Sequence, residues 1–182
     1  MRARTSRPFG LISWPFRSPL TSPVWLMLRL YLASIWMQFG IAKIRGGWLR
    51  DDALAALLEA VADGQTPAPF PFYSDVARVL VETGMTGVLS MLIPLAEVAV
   101  ATAFLTGLML VPAAICAILL NTNLILAGIA SIHFDGRIIA LQVLLLLAWR
   151  VAGYLGLGKR AWWHGWHHRH GGPGGYGGPL PV

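Results

Sequence analysis

Three charged residues lie inside long apolar segments of this chain. Arg29, Glu97 and Arg150 are each flanked by runs of aliphatic and aromatic residues. A charge at the depth of a membrane core is costly unless it pairs, reaches the interface or faces water, so such residues indicate a functional site. Two guanidinium groups and one carboxylate on separate helices could form a buried ionic cluster. That cluster would have spare hydrogen-bond donors with which to hold an anion or bind a quinone carbonyl.

A purely structural interpretation of the same residues stays open. The side chains of Arg29 and Arg150 are long enough to extend toward cytoplasmic lipid headgroups. Glu97 would then serve only to pair with them. The side chain of Glu97 is short, so reaching the interface explains this residue less easily.

The composition is that of an integral membrane protein. The 182 residues are 56% hydrophobic and 12% charged, whereas soluble domains average about 45–50% and about 25%. Lysine and arginine outnumber aspartate and glutamate by 14 to 8, but they concentrate near the two ends. This distribution is typical of cytoplasmic segments on anionic lipid and does not indicate nucleic-acid binding.

With Cys116 as its single cysteine, the chain alone cannot carry out dithiol–disulfide chemistry.

Four apolar segments predict an all-α bundle of four transmembrane helices. The nearly unbroken apolar stretch 84–131 would be about 70 Å long as one helix, more than twice the thickness of a membrane core, so it must fold back. Gly107 can end one helix, and Pro112 can lie in the first turn of the next. The sequence IHFDGR, 132–137, is predicted to form a turn. The predicted spans are 24–42, 86–108, 111–131 and 138–157.

A polar segment, 44–83, separates the first two spans. It contains a predicted helix that Asp51 or Asp52 could cap at its start and Gly64 at its end. A loop rich in proline and aromatic residues follows. The whole segment is either an amphipathic helix resting on the membrane surface or a plain extramembrane connection. The helical face is formed by Leu54, Leu57, Leu58 and Val61, and the aromatic residues suited to the headgroup level are Phe70, Phe72 and Tyr73.

An even number of spans places both termini on one side of the membrane, and the positive-inside rule makes that side cytoplasmic. The chain then divides into a basic arm, 1–23, a membrane domain, 24–160, and a tail, 161–182. The tail is rich in glycine and proline and is predicted to be disordered. Its imidazole groups could bind a transition metal, but nothing fixes their geometry and no metal site is predicted. They are His164, His167, His168 and His170.

Helical rise then gives the depth of each charge. Arg29, Glu97 and Arg150 lie about 8, 16 and 10 Å from the cytoplasmic end of their spans. The arginine side chains are long enough to meet a deeper carboxylate, so we predict that the three residues line one catalytic pocket.

A second polar layer is predicted nearer the outer side. It comprises Gln38, Asn121 and Asn123, which could bind a cofactor or could only hydrogen-bond neighbouring helices. Lys43, at the outer end of the first span, is predicted to be an interfacial anchor.

The four apolar segments also resemble a known family. LRLYLASIWMQFGIAKIRGGWL resembles the opening helix of the DoxX/DoxD family of small four-span membrane proteins, with its early arginine, later glycine and Gly-x-x-Lys ending at Arg29, Gly40 and Lys43. IPLAEVAVATAFLTGLML resembles the second helix, in which a glutamate, here Glu97, precedes a glycine-rich turn. LLNTNLILAGIAS and LLLLAWRVAGYLGLGKR are similar to the third and fourth helices. The resemblance covers roughly 24–160.

The resemblance implies a membrane subunit of a quinone-linked oxidoreductase in the bacterial inner membrane, because the archaeal namesakes are subunits of a thiosulfate:quinone oxidoreductase. Quinone would be the cofactor. The sequence has no haem-ligand pair, flavin motif or cluster cysteines, so a soluble or membrane partner would have to supply the electron carrier. Relatives often carry AGxxSxNP where this chain reads AGIASIHF, so no role of that outer turn carries over to His133 and Phe134.

Two other functions stay open. The protein could be a non-catalytic scaffold that anchors a soluble redox partner through 44–83 or through its basic ends. It could also transport small anions. Self-association in the membrane is compatible with each of these functions.

Overall fold

The computed structural model describes residues 16, 18–50, 53–65, 70–153 and 156, and these residues form an all-helical protein. The predicted basic arm lies largely outside them, as do Asp51 and Asp52, and the predicted tail lies wholly outside them. A short 3-10 turn, Pro19–Thr21, precedes the first long helix. The α-helices are α1 (Ser22–Arg45), α2 (Ala53–Ala62), α3 (Phe72–Glu82), α4 (Met85–Thr106), α5 (Leu110–Leu126), α6 (Ile132–Leu147) and α7 (Trp149–Ala152).

Within the described part of the chain, α1 and α4 are the two helices long and apolar enough to cross a membrane. They contain 24 and 22 residues, which correspond to about 36 and 33 Å against a hydrocarbon core of about 30 Å. With 17 residues, α5 is a shorter apolar helix. Helices of spanning length are thus shown for the first two predicted spans, and the complete four-span arrangement stays a prediction.

The two long helices pack closely side by side. Gly40 of α1 is buried against α4, and a Cβ atom at this position would lie 2.7 Å from Cγ2 of Val98 and 3.1 Å from the carbonyl oxygen of Pro94. Only glycine permits so close an approach of one backbone to another. This contact sets the register between α1 and α4, and therefore decides which side chains of the two helices meet.

The connection between α4 and α5 matches the prediction. Gly107 ends α4 with a positive φ of 74°, and its N–H donates to the carbonyl oxygen of Ala103 at 2.8 Å. Pro112 lies in the first turn of α5, where its missing N–H costs no hydrogen bond.

The predicted turn at 132–137 is wrong, because these residues form the first turns of α6. The chain instead turns directly after α5. Gly128 has a φ of 73°, its N–H donates to Ile125, and the N–H of Ile129 donates to Leu124. This pair of bonds is the Schellman arrangement that ends a helix. Ser131 is then extended and precedes α6.

The segment between the two long helices forms a pair of packed helices, α2 and α3, which we call the cap. The cap covers the end of the bundle where α4 begins and α5 ends, and α3 was not predicted. Tyr73, expected at the headgroup level, is buried in the cap, whereas Phe70 and Phe72 are exposed. Leu57 is more exposed than the other three residues of the predicted helical face. The buried cluster of the cap is Leu54, Leu58, Val61, Tyr73 and Ala77, together with Ala127.

Candidate functional site

The Glu97 carboxylate forms a buried ion pair with Lys43. The Nζ atom of Lys43 lies 2.6 Å from Oε1 of Glu97, and the two side chains are 17% and 0% exposed. Close packing of α1 on α4 brings them together, since Lys43 follows Gly40 by about one turn. The other carboxylate oxygen, Oε2, accepts no hydrogen bond from the residues that the structure describes. We call it the unpaired oxygen.

Aromatic rings hold the Lys43 ammonium group on two further sides. Its Nζ atom lies 5.7 Å from the centre of the Phe39 ring and 5.5 Å from that of Trp48, which is within the range of cation–π attraction. The backbone of Trp48 is itself held in place, because the Ser90 hydroxyl donates to its carbonyl oxygen at 2.8 Å. These contacts orient the ammonium group toward Glu97, so Lys43 is part of the candidate site and the interfacial-anchor prediction for it is wrong.

A cavity of about 50 Å³ lies between the cap and the bundle, beside Glu97. It is partly open to the outside, and most of its lining is aliphatic, from α2, α4 and α5. Three polar side chains interrupt this apolar lining: Glu97, Tyr73 and Asn123. An apolar pocket with a few convergent polar groups is the usual form of a small-molecule site.

Tyr73 joins the cap to the bundle at this cavity. Its hydroxyl group donates a hydrogen bond to Oδ1 of Asn123 on α5. Burial raises the pKa of the Tyr73 phenol, so the hydroxyl stays protonated and remains a donor at neutral pH. The cap is therefore fixed to α5 by a polar contact as well as by apolar packing.

Replacing Tyr73 with Phe should loosen the cap. We expect a loss of about 1 kcal/mol in the free energy of unfolding, the usual contribution of one hydrogen bond, and faster amide hydrogen exchange in α3, measured by mass spectrometry. Tyr31→Phe is the matched control, because Tyr31 is exposed on α1. Equal exchange rates of α3 in both variants would show that the Tyr73 hydroxyl does not hold the cap.

Arg29 lies at the opposite end of the bundle. It is 2% exposed, and its Nη1 donates to the carbonyl oxygen of Ala152 at 2.9 Å. The guanidinium group also lies against the α-carbons of Gly107 and Gly156. A cation is favourable at the carbonyl end of a helix, so Arg29 joins α1 to the ends of α4 and α7.

Arg150 is exposed, and its guanidinium group lies 5.2 Å from the ring of Trp149. The structure therefore does not bring Arg29, Glu97 and Arg150 into one ionic cluster, and that geometric prediction is wrong. Along α4, Glu97 is about 15 Å from the level of Arg29. The ion-pair partner of Glu97 is Lys43, whereas the prediction gave this role to an arginine.

The three residues of the second predicted polar layer also lie in different surroundings and do not form one group. Gln38 is exposed on the outer face of α1, Asn121 is fully buried, and Asn123 accepts the hydrogen bond of Tyr73 at the cavity.

The inward direction of the Lys43 side chain was not predicted, although the spacing of residues along α1 indicates it. Trp36, Gly40 and Lys43 are spaced as residues on one helical face are, and the first two are buried.

No family model matches the chain, and comparisons with curated proteins and with solved structures find no match either. Among the described residues, no group of three or more histidine, cysteine, aspartate or glutamate side chains could hold a metal ion. The histidines of the tail lie outside those residues.

Proposed function

We propose that this protein is a DoxX-like membrane subunit of a quinone-linked oxidoreductase, of the thiosulfate:quinone type by resemblance. One observation carries the proposal: the unpaired oxygen of Glu97 lies in a fully buried carboxylate at the wall of a mostly apolar cavity. A quinone suits such surroundings, because its ring is apolar and its reduced form, the quinol, has hydroxyl groups that can donate to a carboxylate oxygen.

Insertion in the bacterial inner membrane, with several spans and both termini cytoplasmic, is part of the proposal. Large apolar side chains are exposed along all the long helices, among them Met27, Leu92, Leu119 and Leu147. Soluble monomers rarely expose apolar patches beyond a few hundred Å², whereas lipid favours such a surface. Together α6 and α7 cover about 30 Å, enough for a further span despite the break at Ala148.

The residues around the cavity have distinct chemical roles in this proposal. A bound quinone supplies two-electron redox chemistry, and a partner subunit supplies the electrons. Lys43 fixes Oε1 of Glu97, which leaves Oε2 to hold a proton or to accept a hydrogen bond from a hydroxyl group. The leucine-rich lining offers the apolar ring a matching surface. A cavity of about 150 Å³ is known to enclose a benzene ring, so in the smaller cavity here the ring would lie at the partly open mouth.

Quinone binding in lipid nanodiscs tests the proposal directly. We expect saturable binding of ubiquinol or menaquinol, whose hydroxyl groups can donate to the unpaired oxygen, to the wild type, and about tenfold weaker binding to Glu97→Gln. A hydrogen bond to a charged group contributes roughly 1.5–3 kcal/mol, and about 1.4 kcal/mol is a factor of ten in Kd. Arg150→Gln is the matched control, because Arg150 is exposed at the other end of the bundle, and its Kd should equal that of the wild type. Absence of saturable binding to the wild type, or equal binding to both variants, would contradict the proposal.

A scaffold for a soluble redox partner is the second candidate. Phe72, Val76 and Val79 form an exposed apolar stripe along α3, and Asp75 and Arg78 lie beside it. Such a stripe could dock a partner protein. Val76→Asp would then release the partner from the membrane while quinone binding stayed unchanged, which separates this function from the first.

A further inference from the structure

Four polar side chains from four different helices are buried in the middle of the bundle. Each is fully excluded from solvent, and each has at least one polar atom that makes no hydrogen bond to any described residue. Buried polar groups in native proteins are almost always bonded to protein or to ordered water. The atoms are Nε1 of Trp36, Oε2 of Glu97, Nδ2 and Oδ1 of Asn121, and Nε2 and Oε1 of Gln142.

Helical rise places these side chains within about one helical turn of one another in depth. The contact of Arg29 with Ala152 and Gly107 fixes a common level at one end of α1, α4 and α7, and α5 begins shortly after Gly107. From this level, three of the residues are about 15–17 Å away along their own helices, and Trp36 is about 10 Å away. The three are Glu97, Asn121 and Gln142.

The chemical balance of the four groups suits water. The indole N–H and the two amide NH₂ groups are donors, whereas the two amide carbonyls and the unpaired oxygen are acceptors. The carboxylate charge is already compensated by Lys43, so a further ion is not required. Buried water typically makes about three hydrogen bonds to polar groups of this kind.

We propose that Trp36, Glu97, Asn121 and Gln142 enclose an internal site that binds ordered water. This water hydrogen-bonds the unpaired oxygen of Glu97 and connects it with the amides of α5 and α6. The inference goes beyond the proposed function, because it concerns the interior of the bundle and stands whether or not a quinone occupies the cavity under the cap.

The composition of the chain makes a direct test practical. The sequence contains two asparagines and three glutamines, so the side-chain amides of a ¹⁵N-labelled sample give few signals. Water-edited solid-state NMR of the full chain in lipid vesicles would measure magnetisation transfer from water to each amide. Gln65, exposed in the turn after α2, is the hydrated reference, and Gln38, exposed on the outer face of α1, is the lipid-facing reference.

We expect the Asn121 and Gln142 amides to receive magnetisation at a rate close to that of Gln65. In Gln142→Leu, the transfer to Asn121 should fall at least twofold, whereas Gln38→Leu should leave it unchanged. Transfer to Asn121 and Gln142 no faster than to Gln38 would overturn the proposal, since the two amides would then be dry. The wild-type measurement gives this answer by itself, even if Gln142→Leu fails to fold.

Discussion

Replacing Lys43 with Met is expected to destabilise the protein by about 3–5 kcal/mol, the usual cost of leaving one partner of a buried ion pair uncompensated. Glu97 is fully buried, and the Lys43 ammonium group 2.6 Å from it is its ion-pair partner. Methionine keeps most of the side-chain length while it removes both the charge and the cation–π contacts with Phe39 and Trp48. The loss would be measured as the free energy of unfolding in detergent micelles titrated with a denaturing detergent.

Two further variants separate the charge effect from general damage to α1. Arg45→Met removes an exposed cation at the same helix end, and we expect a change within about 0.5 kcal/mol. The double variant Lys43→Met/Glu97→Met should recover most of the lost stability, because well-packed apolar residues often replace a buried ion pair without loss. A Lys43→Met protein as stable as Arg45→Met would show that the pair does not stabilise the fold.

Helix ends with a strong local signal could be predicted from the sequence. Gly107 and Pro112 mark the break between α4 and α5, and Gly64, with a positive φ, follows the end of α2. Each acts through its own backbone: glycine adopts a left-handed conformation freely, and proline fits the first turn of a helix. Such residues determine the local structure with little help from tertiary contacts.

Where two turn signals lie close together, the sequence does not show which of them forms the turn. Gly128 and the Asp135–Gly136 pair are both typical of turns, and they are close together in the sequence. The structure turns at Gly128, where two backbone hydrogen bonds close the end of α5, and α6 continues through Gly136. Helix α3 was not predicted either. Its buried residues, Tyr73 and Ala77, pack against α2 and the end of α5, and these contacts join residues that are far apart in the sequence.

Local sequence patterns were also insufficient to predict which side chains meet in the candidate site. Helical rise gave useful depths, but depth does not specify the face on which a side chain lies. Arg150 has a depth similar to that of Arg29 and is exposed, whereas Lys43, nearer the helix end, points inward to Glu97. The α1–α4 register that joins Lys43 to Glu97 depends on the close approach at Gly40, which is a tertiary contact.

Gly107→Ala is expected to destabilise the protein by about 2–5 kcal/mol. A non-glycine residue in the left-handed conformation costs about 1–2 kcal/mol, and the new Cβ atom would collide with the Arg29 guanidinium group and crowd Gly156. Overpacking of this kind adds about 1–3 kcal/mol. Arg29 cannot move away without losing its hydrogen bond to Ala152.

Gly84→Ala is the matched control for this prediction. Gly84 precedes α4 with a φ of 67°, close to the 74° of Gly107, but a Cβ atom there would meet nothing within 4 Å. The backbone strain is therefore nearly the same in the two variants, and the difference between their unfolding free energies measures the collision with Arg29. If Gly107→Ala and Gly84→Ala unfold with equal free energies, Arg29 does not pack against Gly107 as a fixed group. A clear excess for Gly107→Ala would instead show that the buried guanidinium joins the ends of α1, α4 and α7, because only a side chain held in place resists the added methyl group.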